Sequence, residues 1–66
     1  MKLSKALKRK RLAAGLTQEQ LAQSLGIQHT VICEYENGKR GANPGRIKAM
    51  ADVLGCDVES IIEEDS

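Results

Sequence analysis

Apolar residues recur along this chain at intervals of three and four, and glycine breaks the pattern repeatedly. Leu3 with Leu7, Leu21 with Leu25, Ile32 with Tyr35, and Ile47 with Met50, Ala51 and Leu54 each share one side of an α-helical turn. No run alternates polar and apolar as a strand does, so the expected fold is all-α: a five-helix bundle. The first helix is predicted over residues 3 or 4 to 14, with Ala14 extending the Leu3–Leu7 stripe and Gly15 as its stop. Thr17 and Gln20 form a T-x-x-Q capping box that opens a second helix, Gln18–Leu25, with Leu16 as a hydrophobic staple and Gly26 as the turn. A third helix is predicted over 28–36, ending at Asn37-Gly38. After a polar loop at 39–43, Asn43-Pro44 reads as N-cap and N1 of a fourth helix, Pro44–Leu54, closed by Gly55. A short fifth helix is predicted over 58–63, burying Val58, Ile61 and Ile62.

The segment 17–36 carries most of the information. It reads as two helices joined by a tight turn, with a small residue, Ala22, where the helices cross closest. On a helical wheel of the third helix, Ile32 and Tyr35 point inward and Glu36 falls near their edge. Thr30 and Glu34 point the opposite way, flanked by Cys33 and Asn37, while Gln28 and His29 lie at the exposed N-terminal end. A helix-turn-helix of this kind inserts its second helix into the DNA major groove.

The outward residue types suit that task. Gln28 can pair with adenine, the Thr30 methyl can meet a thymine methyl, and His29 can donate to guanine N7 or to a phosphate. Glu34 brings negative charge toward phosphates, so it either accepts from cytosine or is held by a nearby cation and rejects wrong sequences. These four, Gln28, His29, Thr30 and Glu34, are the candidate base contacts. Val31 either meets a thymine methyl or packs on a neighbouring helix. Gln18, at the start of the second helix, and Asn37, Lys39 and Arg40, after the third, are candidate phosphate contacts. Arg11 has two readings, phosphate contact or internal ion pair with Glu36, and one guanidinium can serve both.

Composition narrows the alternatives. At 66 residues the chain forms a single domain, and with one Tyr, no Phe and no Trp its core must be aliphatic. Net charge is +1, but residues 1–16 carry six cations and no acid, whereas residues 57–66 carry five acids and no base. A basic end and an acidic end present different surfaces, and the acidic end is a candidate site for a partner protein. Cys33 and Cys56 have neither metal-ligand spacing nor a disulfide framework, which fits a cytoplasmic location, with a redox role for Cys33 left open. No apolar run approaches the ~20 residues of a membrane span, so no membrane association is expected. With one His, no metal cluster, no nucleophile–base set and no phosphate-cradling loop, no enzyme and no cofactor is expected.

The motifs RLAAGLTQEQLAQSLGI, EYENGKR and PGRIKAMADVLGCDVESII closely resemble the Cro/repressor-type helix-turn-helix family, also called XRE-like, over essentially the whole chain. The resemblance implies a lambda-repressor-like five-helix bundle that binds operator DNA as a homodimer. It implies contacts at Gln18, Gln28, His29, Thr30, Glu34, Asn37, Lys39 and Arg40, and an Arg11–Glu36 pair. Three features depart from the family pattern: Gln28 stands where many members cap the third helix with Ser or Thr, the loop 39–43 is longer, and Gly45 weakens the first turn of the fourth helix. One small module makes few base contacts, so a dimer on an inverted repeat is expected. Val53, Cys56, Val58, Ile61 and Ile62 are the candidate dimer surface. The functional expectation is a sequence-specific transcriptional repressor. The alternative is an antitoxin or adaptor whose main role is to bind a partner protein.

Overall fold

The computed structural model describes residues 3–62. They form four α-helices, α1 (Ser4–Ala13), α2 (Gln18–Leu25), α3 (His29–Glu36) and α4 (Pro44–Leu54), followed by a single 3-10 turn, Val58–Ser60. The capping chemistry explains the boundaries. Thr17 Oγ1 accepts from the Gln20 N–H at 3.0 Å, and Gln20 Oε1 accepts from the Thr17 N–H at 2.8 Å, which completes the capping box of α2. Asn43 Oδ1 accepts from the Arg46 N–H at 2.8 Å with Pro44 behind it, and so starts α4. Between α2 and α3, Gly26 adopts φ +70°, where an L side chain is strained, and the Ile27 N–H reaches back to the Ala22 carbonyl at 3.0 Å.

α2 packs on α3 and α4, α1 packs on α3, and the 3-10 turn bridges α4 and α1. The centre is filled by fully buried Leu3, Leu7, Leu21, Ile32, Ile47, Met50 and Ile61, with Tyr35 beside them and its hydroxyl 3.5 Å from Arg46 Nη1. Ala22 is 2% exposed, as its place at the α2–α3 crossing requires.

Three expectations are corrected. Among the described residues there is no fifth α-helix: those after α4 make only the turn Val58–Ser60, and Glu63 lies outside them. Asp57 makes no side-chain cap there, and so few residues cannot offset the entropy of nucleating a helix. Ala14 is exposed and lies just past α1; position 11 extends the Leu3–Leu7 stripe instead, so the third core position of that stripe holds an arginine. Helix α3 starts at His29, with Gln28 outside it in extended geometry.

Candidate nucleic-acid interface

The buried arginine organises this face. Arg11 Nε donates to Glu36 Oε2 at 2.6 Å, Nη2 donates to Oε1 at 3.2 Å, and Nη1 donates to the Leu16 carbonyl at 2.8 Å. Gln18 Nε2 donates to the same Glu36 Oε1 at 3.0 Å. One carboxylate on α3 thus ties together the end of α1 and the start of α2. Every described buried side-chain nitrogen and oxygen has a hydrogen-bond partner, which a buried ion pair requires if it is not to destabilise the fold.

This network engages two of the predicted residues. Arg11 forms the expected pair with Glu36, is 6% exposed, and donates from each of its three nitrogens within the protein, so its structural role is in place. The Gln18 side chain is likewise committed to Glu36. What α2 still offers is backbone: the capping box satisfies the N–H groups of Thr17 and Gln20, while those of Gln18 and Glu19, at the positive end of the helix dipole, have no partner within the helix. They border a surface depression lined by Arg11, Leu12, Leu16, Thr17, Gln18, Glu19 and His29. The N-terminal end of α3 is therefore set beside the N-terminal end of α2.

Along α3, Gln28, His29 and Thr30 are exposed, and Glu34 is half-buried on the same outward side as Thr30. Gln28 makes no cap hydrogen bond with its side chain. Val31 packs against the core, resolving its two readings in favour of packing. Asn37 Nδ2 donates to Cys33 Sγ at 3.3 Å. Lys39 and Arg40 are exposed in the loop after α3, and Arg40 Nη2 lies 3.0 Å from Glu34 Oε1. Of the two readings of Glu34, the carboxylate is held by a cation.

In the C-terminal part of the described residues, Val53 is 37% exposed, and Cys56, Val58 and Ile62 are half-buried against the core. Ile61 is fully buried, so it is a core residue and no part of a dimer surface. Of the acidic end, Asp57 and Glu59 are exposed, and Glu63, Glu64 and Asp65 lie outside the described residues.

Sequence reasoning missed the Gln18–Glu36 bond, the Arg11–Leu16 bond, the exposed Leu12 (58%) and the placing of Thr17 and Glu19 beside His29. The capping box already marked Thr17 as the start of α2. Nothing local marks an interaction between residues 18 apart in the chain.

Known proteins agree with this geometry. The sequence model of a helix-turn-helix family matches residues 7–61. The crystal structure of the restriction-modification controller protein C.AhdI from Aeromonas hydrophila is similar over 86% of this chain and 86% of its own, at 28% identity and a TM-score of 0.80. That of the clp gene regulator ClgR from C. glutamicum is similar over 85% of this chain and 72% of its own, at 23% identity and a TM-score of 0.80, a likeness of fold. With the two helices, their turn and the outward polar face of α3 in place, the chain belongs to the XRE-type helix-turn-helix family and is a DNA-binding transcription regulator.

Proposed function

We propose that the protein is a repressor that occupies a palindromic operator as a homodimer, with α3 in the major groove of each half-site. The observation that carries this reading is the exposed trio Gln28, His29 and Thr30 at the start of α3, beside the open amides of α2. Side chains at that end can reach base edges while the α2 amides, Asn37 and Lys39 take phosphates on either side. Phosphate contacts set the register, and the trio supplies sequence discrimination.

Dimerisation follows from the energetics of recognition. Specific sites are bound with a Kd of about 10⁻⁸ M or tighter, more than the few base contacts of one small module supply. Val53, Cys56, Val58 and Ile62 provide an apolar surface for the second copy. The protein acts in the cytoplasm, on the nucleoid, and represses by occupying a promoter.

Selection from a random DNA pool at physiological salt tests this. The expected result is an enriched inverted repeat with half-sites about one helical turn apart. Weak, salt-sensitive binding without enrichment would overturn it and favour an adaptor that meets a partner protein through its acidic end.

A further inference from the structure

The Glu34–Arg40 pair is left over when the fold has been explained. Arg40 Nε donates to Glu34 Oε1 at 3.1 Å, and Nη2 lies 3.0 Å from the same oxygen. The side chains are 40% and 51% exposed, respectively, and an exposed pair of this kind adds little to stability. Yet its position is well defined by the backbone. The Lys39 N–H bonds back to the Glu34 carbonyl at 2.9 Å across Gly38, which stands at φ +72°. Ala42, 6% exposed, anchors the loop two residues further on. The chain is thereby closed on the last turn of α3, and its contact with Glu34 sets the Arg40 guanidinium against the outward face, one helical turn from Thr30.

The orientation of the guanidinium matters more than its charge. Glu34 occupies the edge made by Nε and Nη2. Among the described residues, Nη1 has no hydrogen-bond partner, so the end-on edge made by Nη1 and Nη2 is open. That edge matches two acceptors side by side, the arrangement guanine presents in the major groove through N7 and O6. A phosphate clamp would use a free cation. A guanidinium already neutralised by a carboxylate releases few counterions but is well oriented for a base.

We infer that Arg40 reads a guanine in each half-site and that Glu34 holds it in position, so that the two act as one specificity element. Glu34 then makes no contact with cytosine, and Arg40 is a base reader in place of a phosphate clamp. This inference rests on α3 entering the major groove, and it adds a base and a residue to that reading.

The test compares the wild type with E34Q, R40A and the double variant E34Q/R40A, whose net charge equals that of the wild type. All four are put through selection from a random DNA pool, and binding to the selected site is titrated against salt. Neither side chain is buried, and a thermal melt of each variant checks that the fold persists. The wild type should select a guanine that R40A no longer prefers, with discrimination at that position falling on the order of tenfold or more. E34Q should weaken the preference at the same position, and the double variant should lose it with no change in salt slope and no change at other positions.

Three results would overturn the inference. Uniform weakening by R40A with every preference retained would make Arg40 a phosphate clamp. Tighter binding of E34Q to all sequences would make Glu34 a simple repulsive charge, and loss of a cytosine preference in E34Q alone would make it a direct reader. If the wild type itself selects nothing, the groove-binding reading fails as well, which separates the two failures.

Discussion

Arg11 and Glu36, 25 residues apart in the chain, meet in a nearly fully buried ion pair whose shorter contact is 2.6 Å. The pair joins the end of α1 to the end of α3, and Gln18 joins α2 to it through the same carboxylate. The placing of α3 against α1 and α2 thus depends on polar chemistry at the edge of a largely aliphatic core.

Removing either partner leaves a buried charge without its counterion. Arg11→Ala or Glu36→Ala should each cost about 3–5 kcal/mol, a large share of the roughly 3–10 kcal/mol expected of a domain this size. Urea unfolding measures it. The double variant Arg11→Met, Glu36→Leu should regain most of the loss, since an apolar pair of similar volume has no charge to desolvate. Additive losses in the double variant would show that the two side chains do not act as a pair.

Gly45 occupies the first turn of α4, where a Cβ would meet only Asn43 Oδ1, at 3.5 Å. Gly45→Ala should therefore stabilise the protein by about 0.4–1 kcal/mol, because alanine has fewer unfolded conformations to lose. In a domain this small a 1 kcal/mol gain raises Tm by roughly 4–8 °C. A lower Tm would mean that α4 needs the glycine.

Positions 53 and 61 lie near the same end of the chain but are expected to respond differently. Ile61→Ala opens a cavity in the core and should cost about 2–5 kcal/mol in unfolding experiments. Val53→Asp replaces an exposed side chain, so the monomer should keep its stability while self-association is lost. Sedimentation equilibrium reads the second effect. A wild type that is monomeric at high micromolar concentration, with and without DNA, would end the dimer proposal.

On the proposed DNA face, two substitutions should have different signatures. Thr30→Ala should cost about 1–3 kcal/mol at the selected site and relax preference at one position. Lys39→Ala should weaken binding to all sequences alike and reduce the salt slope by about 1. Binding isotherms over a salt series with selected and scrambled duplexes distinguish them. A Lys39→Ala variant with altered base preference would move that residue from the phosphates to the bases.

Local rules of the chain were enough to place α2 and α4 to the residue, because their boundaries are written in side chains next to them: Thr17 with Gln20, Asn43 with Pro44, and the glycines at 26 and 55. The same is true of the inward set on α3 and of its outward polar face, since helical period and residue type fix both. Family motifs extended that reading to the Arg11–Glu36 pair. The extent of the last helix was not legible, because a short segment without a cap owes its conformation to packing against α1 and α4. Nor was the fate of Ile61, which the core takes whole, or the commitment of Gln18 to Glu36. Above all, the orientation of Arg40 over Glu34 depends on where the loop returns after Gly38, and that path is set by Ala42 finding its place in the core. Periodicity and capping act between neighbours in the chain; the partners of a long polar side chain are chosen by neighbours in space, which only the packed fold brings together.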